Sequence, residues 1–354
     1  MRRISFVIYY FSTTLTITFI SLQVNTVTSF AQGIKSTFVH PVYLEPDIFV
    51  ISNRQTDTLN AKFQFTNNVN TDPSLTFFRV NASSMDSLRL TKLDSIAFLT
   101  EILDVKEQNW LLFIHGDSQT FEQATIRGLN IQNKYNIRVI VFCWPSKEPN
   151  VSGIKNFKNS FQNVEKSINH FYSVLNTMSG LRNSKTDFLI ENKLSLLLHS
   201  LGNYYLECMV NKNMLSESPS ILFDNVIINA AAVEQKNHKE WIEQLNFQKN
   251  IFIINNKQDF NLNGLRIFTK RGKQLGEKVK FPLANNAVYF NFTKSVGFRI
   301  PTGTSHTYFI GQVPERNEKI GLFYFEILHG LYPNLADETR FVNRQESSGD
   351  ILVR

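Results

Sequence analysis

The order of apolar runs along this 354-residue chain predicts an α/β fold: a mostly parallel, doubly wound sheet with an antiparallel N-terminal start. Three observations predict it. Wholly apolar runs of strand length alternate with stretches in which apolar residues recur every three or four positions, so strands alternate with helices. Neither an internal repeat nor a linker rich in proline, glycine or serine divides the chain, which points to one domain over residues 32–333. The balance of 42% hydrophobic and 19% charged residues belongs to a chain that buries a large core, not to a disordered one.

Each element follows from its residues. Between residues 36 and 90 the pattern is short strands and turns. Ile48-Phe49-Val50-Ile51 and Leu75-Thr76-Phe77-Phe78 form the expected antiparallel pair, joined by a polar, Asn-rich connection. Over residues 96–105, Phe98, Leu99, Ile102 and Leu103 share one face of an amphipathic helix. Residues 110–114, WLLFI, are apolar throughout, as a strand covered on both faces must be, and end in His115-Gly116. A helix over 121–134 and a strand over 138–142 follow, the strand stopping at Trp144-Pro145. The spacing of Phe157, Phe161, Val164, Ile168, Phe171, Leu175 and Met178 predicts one long helix that Gly180 terminates. Then come the strand containing Leu194 and Leu196-Leu197-Leu198, a strand over 225–229, a helix near 241–245, a strand over 251–254 and a last strand near 287–292. A final helix near 315–328 carries Ile320, Phe323, Tyr324, Ile327 and Leu328 on one face, and the polar residues 334–354 read as a loose tail.

The N-terminus reads as a secretory signal over residues 1–31. Arg2 and Arg3 give it a positive start, an apolar stretch follows to about residue 22, and Ser29-Phe30-Ala31 offers small residues for cleavage before Gln32. Five hydroxyls (Ser12, Thr13, Thr14, Thr16, Thr18) make it less apolar than a membrane anchor, the competing reading, requires. The expectation is therefore an exported protein, periplasmic or secreted, with no stable membrane span after cleavage. Cleavage would remove two charges from a formal net charge of +7. The remaining excess has one local cluster, Lys270-Arg271, Lys273, Lys278 and Lys280, and no aromatic residues interleave with it, so no nucleic-acid partner is expected. Two cysteines, Cys143 and Cys208, do not make a disulfide framework and read as buried thiols. No two histidines stand at ligand spacing on one helix, so neither a metal nor another cofactor is expected. Oligomeric state leaves no mark in the sequence.

The chemistry concentrates in KLSLLLHSLGNYY, residues 193–205. A buried strand that turns sharply into a helix at a serine is a nucleophile elbow. The turn raises the Ser200 hydroxyl above the sheet edge, and Gly202 leaves room for it against the preceding strand. In open α/β sheets, function gathers beyond the carboxyl ends of the strands. His115-Gly116, Ser200 and Asp259 stand there, with His306 in a later loop of small and polar residues. A serine hydroxyl needs a base to take its proton, and His306 is the candidate. Asp259 would hold the imidazole tautomer and stabilise the imidazolium, with Glu234 its rival for that role. The backbone N–H groups of Leu201 and Asp117 would receive the developing oxyanion. His115 reads as structural, orienting its loop, and His199 as a neighbour packed under the elbow.

These residues resemble the α/β-hydrolase superfamily, whose catalytic groups run serine, acid, histidine along the chain. More narrowly, they are similar to a functionally uncharacterised bacterial family of such hydrolases. Its blocks correspond here to Ser52-Asn53-Arg54, to His115-Gly116 with Thr120-Phe121-Glu122-Gln123-Ala124, to Trp144-Pro145-Ser146, to the elbow His199 to Asn203, to the acid Asp259, and to His306-Thr307-Tyr308-Phe309. The resemblance spans roughly residues 45–330 and implies an α/β-hydrolase fold with a serine hydrolase activity of the esterase or lipase kind on an acyl substrate. Three positions depart from the pattern. Asp117 stands where an aromatic is common, Leu198 where a small residue usually precedes the elbow, and Ala230-Ala231-Ala232 where Ala-Pro-Asp is frequent. A carboxylate beside an oxyanion site opposes the charge that develops there. Two readings therefore stand: an exported serine hydrolase, and a non-catalytic cell-envelope binding protein on the same fold.

Overall fold

Thirteen strands and ten helices follow one another among the described residues. They are β1 (Asp47–Ser52), β2 (Arg54–Asp57), β3 (Gln64–Val69), β4 (Thr76–Ser84), β5 (Ser87–Leu93), α1 (Ser95–Leu103), β6 (Trp110–Ile114), α2 (Phe121–Tyr135), β7 (Arg138–Cys143), α3 (Gly153–Lys166), α4 (Ile168–Asn183) and β8 (Leu194–His199). The series continues with α5 (Tyr204–Asn211), β9 (Phe223–Asn229), α6 (His238–Ile242), β10 (Gln248–Asn255), α7 (Phe260–Thr269), β11 (Ala287–Asn291), α8 (Thr293–Val296), α9 (Gln312–Arg316), α10 (Glu318–Leu328), β12 (Phe341–Arg344) and β13 (Asp350–Val353). The computed structural model describes residues 47–57, 64–84, 87–105, 108–148, 150–151, 153–183, 192–215, 221–269, 272–297, 302–344 and 350–353. All of them belong to the compact unit Pro41–Arg354, and the signal segment expected over 1–31 lies outside the described residues.

Eleven strands form one sheet in the order β12-β13-β11-β10-β9-β8-β6-β7-β1-β4-β5, with β2 and β3 paired separately. From β1 to β11 across the sheet every neighbour is parallel. The expected antiparallel start is present as β1 against β4, with Val50 opposite Phe78. The same β1 also pairs in parallel with β7, so it belongs to the main sheet as well.

The period of two along a strand divides the core. In β6, Trp110, Leu112 and Ile114 enter one cluster, with Phe98 of α1, Phe171 of α4 and Met209 of α5. Leu111 and Phe113 enter the other, with Ile131 of α2 and Phe323 and Ile327 of α10. Every residue of β6 is at most 1% exposed, so each side chain contributes roughly 1.5–3 kcal/mol by burial. That is why the run shows no polar alternation. Leu198 lies in the first cluster, fully buried, so its bulk is absorbed on the core side of β8. Both cysteines are buried free thiols. Among the described residues no helix is long and apolar enough to cross a membrane.

Two expectations are corrected. The single helix expected across 157–180 is two helices, interrupted at Ser167, whose hydroxyl bonds to Asn163 O and also meets Tyr205 Oη at 2.7 Å. Gly180 terminates neither: a Cβ there would meet nothing within 4 Å, and α4 continues to Asn183. The loose tail is also not observed. β12 and β13 extend the sheet, with β13 parallel to β11 and antiparallel to β12, and Phe341 and Val353 are buried. Two isolated apolar anchors in a polar stretch leave no period to read.

Candidate active site

The carboxyl ends of the parallel strands share one sheet edge, and the elbow is its sharpest feature. β8 ends at His199, a short 3-10 turn covers Ser200–Asn203, and α5 follows. Ser200 takes φ of 54°, a left-handed conformation that costs a non-glycine residue of order 1–3 kcal/mol. Neighbours hold it there. Ser200 O accepts from Ala232 N at 3.1 Å and from Asn203 Nδ2 at 2.9 Å, and the same Asn203 nitrogen reaches Asn229 O at 3.2 Å. Gly202 is required, though not against its own strand as expected. A Cβ there would lie 2.8 Å from His115 O and 2.9 Å from Ile114 O, on neighbouring β6. Gly116 is its counterpart, since a Cβ there would come within 2.7 Å of Ser200 Cβ.

Asp259 and His306, 47 residues apart in the chain, meet at 2.6 Å between Oδ2 and Nδ1. Asp259 is fully buried, and its other oxygen accepts the N–H groups of Asn261 and Leu262, each at 3.1 Å, at the start of α7. It is therefore both a helix cap and the partner of the imidazole. Asn256, just after β10, donates to Ser305 O at 3.0 Å and ties the histidine loop to the acid's loop. Glu234, the rival acid, instead bridges by its backbone to Gln274, with its carboxylate beside Gly272. His306 and Ser200 line one cleft of about 630 Å³. No hydrogen bond joins the Ser200 hydroxyl to the His306 ring; such contacts often tighten only when substrate is bound.

The two expected oxyanion donors flank the serine: Leu201 follows it directly, and Asp117 follows Gly116 where the β6 loop passes against the elbow. The Asp117 carboxylate accepts from Asn156 Nδ2 at 2.8 Å and from Ser118 Oγ at 3.0 Å, while burial raises its pKa. Asn156, on α3, also donates to Ser146 O at 2.9 Å and accepts Glu148 N–H at 2.6 Å. Sequence reasoning missed it, because a lone asparagine on an amphipathic helix gives no signal.

His199 lines the cleft, and His115 lies fully buried behind it. His115 Nδ1 bonds to Gly116 O at 2.8 Å, its Nε2 accepts Trp144 N–H at 3.2 Å, and the ring stacks on Trp144 at 5.2 Å. Burial, with the charge of Arg54, lowers its pKa to about 3, so it is neutral and structural. His199 is packed under the elbow, its Nε2 at 3.1 Å from His306 O. Burial and then the neighbouring His306 hold its pKa well below the usual histidine value. Arg54, the last residue of the Ser-Asn-Arg block, donates to Gln119 O and Trp144 O, each at 2.7 Å, and so pins the loops after β6 and β7 together. Beside the polar groups stands an apolar wall that includes Ile154, Phe157, Phe260, Leu262 and Leu265, with Ile154 and Phe260 at the exposed rim.

Residues 95–279 match the sequence model of a family described as alpha/beta hydrolase of unknown function. No curated protein matches the chain. Among solved structures it is similar to a Pyrobaculum calidifontis esterase, at 11% identity over 71% of this chain and 81% of that one, with a TM-score of 0.31. It is also similar to a Pyrococcus horikoshii acylaminoacyl peptidase, at 11% identity over 78% of this chain and 52% of that one, with a TM-score of 0.32.

Proposed function

The chain belongs to this family of alpha/beta hydrolases of unknown function, and from that premise we propose that it is a serine hydrolase cleaving a carboxylic ester, thioester or amide. One observation carries the reading: a left-handed serine at a strand-to-helix turn shares a cleft with an imidazole whose Nδ1 is held 2.6 Å from a buried carboxylate. With Nδ1 occupied by Asp259, Nε2 is left as the base. Ser200 Oγ attacks the carbonyl carbon while its proton passes to Nε2. The oxyanion meets the N–H groups of Leu201 and Asp117, each such donor contributing about 3 kcal/mol to the transition state. The C–O, C–S or C–N bond then breaks and His306 returns the proton to the leaving group, leaving an ester on Ser200. Water, deprotonated by the same Nε2, releases the acid. The signal-like N-terminus supports an exported enzyme, periplasmic or secreted.

A second reading, a non-catalytic envelope binding protein, draws on the Asp117 carboxylate that lines the cleft with Ser200 and would oppose a developing oxyanion. A fluorophosphonate probe separates the two. The hydrolase labels as wild type and fails to label as Ser200→Ala; a folded wild type that never labels supports the binding protein. Acyl esters of graded chain length then measure the acyl preference that the apolar wall sets.

A further inference from the structure

Most partly buried guanidinium groups of this protein have an evident reason to be where they are. Arg54 bonds to loop carbonyls, Arg182 pairs with Asp224, Arg266 with Glu277 and Arg340 with Glu326. Arg127 is different. It lies on α2 and lines the cleft with Ser200, His199, His306 and Thr307. Among the described residues it has no hydrogen bond and no ion pair.

Its placement is fixed by the fold. The next residue, Gly128, lets α2 close onto the sheet: a Cβ there would meet Val141 Cγ2 at 2.4 Å and Ile48 Cδ1 at 2.7 Å. α2 is thereby pressed down with Arg127 held at the cleft. Arg127 is only partly withdrawn from water, and burial lowers its pKa to about 10, which still leaves it charged at neutral pH, with its guanidinium open to the cleft. The other charged side chain lining the cleft, Asp117, does not relieve it, since its oxygens are taken by Asn156 and Ser118. The charge of Arg127 reaches both His115 and His199 and favours their neutral forms. The cleft thus joins an uncompensated planar cation to an apolar wall of Ile154, Phe157 and Leu265.

We propose that Arg127 receives an anionic group of the substrate, a carboxylate or a phosphate, so that the proposed hydrolase acts on acyl compounds carrying a negative charge. This rests on the serine hydrolase reading for the chemistry, but not for the binding. A guanidinium offers a planar fork that matches either anion with two hydrogen bonds. The net positive charge, +7 for the whole sequence and +5 without Arg2 and Arg3, favours encounter with such a substrate.

The test uses 4-nitrophenyl hemiglutarate, its methyl-capped neutral counterpart, and 4-nitrophenyl 4-phosphonobutanoate. Wild type is expected to prefer one of the anionic esters to the capped one by at least about tenfold in kcat/KM, and which one identifies the anion. In Arg127→Gln that ratio falls to about one, and in Arg127→Lys part of it returns. Calorimetric titration of the same compounds into Ser200→Ala gives a readout without catalysis, with the same ratio expected in Kd and lost in the Ser200→Ala, Arg127→Gln double variant. If no ester is hydrolysed but the difference in Kd persists, the hydrolase reading fails and the anion site stands. Equal Kd values for anionic and capped esters overturn the anion site whether or not the protein is a hydrolase. So does a ratio in Arg127→Gln unchanged from wild type.

Discussion

Gly202→Ala tests the elbow through one methyl group. The added Cβ would lie 2.8 Å from His115 O and 2.9 Å from Ile114 O, where ordinary contact begins at 3.4 Å. Both obstacles are backbone atoms at the end of β6, so no side chain can rotate away. The elbow and the β6 loop must separate by about half an ångström. Overpacking of this kind costs about 1–3 kcal/mol. The same displacement moves Ser200 relative to the loop that carries the Asp117 N–H. Since a misplacement of about 1 Å can cost about 100-fold in rate, labelling by a fluorophosphonate should slow by roughly 10- to 100-fold. Urea denaturation and the second-order labelling rate measure the two effects separately. Gly180→Ala is the control: its Cβ meets nothing within 4 Å in the last turn of α4, and it should gain about 0.5–1 kcal/mol with unchanged labelling. A Gly202→Ala protein as stable as wild type, labelling at the wild-type rate, would refute the packing argument.

Three further outcomes are expected. Asp259→Asn presents an amide to His306 Nδ1 and favours the wrong tautomer, so labelling and any ester turnover should fall by on the order of 10,000-fold while the fold survives; near-normal rates would exclude Asp259 as the orienting acid. Arg54→Met strips the donor from Gln119 O and Trp144 O, and about 2–4 kcal/mol of stability should be lost in urea melts. His115 stays neutral in the folded protein down to about pH 3 but protonates near 6.5 when unfolded. The unfolded state therefore binds more protons between those limits, and stability should rise with pH there by up to about 1.4 kcal/mol per unit. The contribution is fully present above pH 6.5 and lost as pH falls toward 3; His115→Gln should flatten the slope by about that amount, and an unchanged slope would show that the ring protonates when folded.

Legibility followed the length scale of each cause. WLLFI and LLL read as strands because a both-faces-covered strand must be apolar at every position, and β6 and β8 are buried throughout. The juxtaposition of Asp259 with His306 was readable because parallel strands deliver their carboxyl ends to one edge, whatever lies between. What escaped was set by single long-range contacts. Ser167 breaks a helix whose apolar period runs on unbroken, because its hydroxyl finds Tyr205 on another element. Phe341 and Val353 turn a polar stretch into two sheet strands. Arg54 was visible as part of a short block, yet the carbonyls it joins lie 65 and 90 residues away. Arg127, between an isoleucine and a glycine in an ordinary amphipathic helix, becomes notable only in the cleft, where no described carboxylate pairs with it.

Asp117 shows why a substitution that looks damaging in sequence need not be so in space. Alone beside a developing oxyanion, its charge would raise the barrier. Here Asn156 and Ser118 donate to its oxygens, and the same Asn156 amide grips Ser146 O and Glu148 N, so the carboxylate becomes one post of a strut between the loops after β6 and β7. Those are also the loops that Arg54 pins from below. Arg127 lines the same cleft and is close enough to influence both His115 and His199. The aromatic common at this position would offer packing alone; the aspartate offers hydrogen bonds, and its donors, Asn156 and Ser118 among them, favour the charged form that burial opposes. With its oxygens held by these donors, Asp117 leaves Arg127 without a bonded partner among the described residues, which is what the proposed anion site requires.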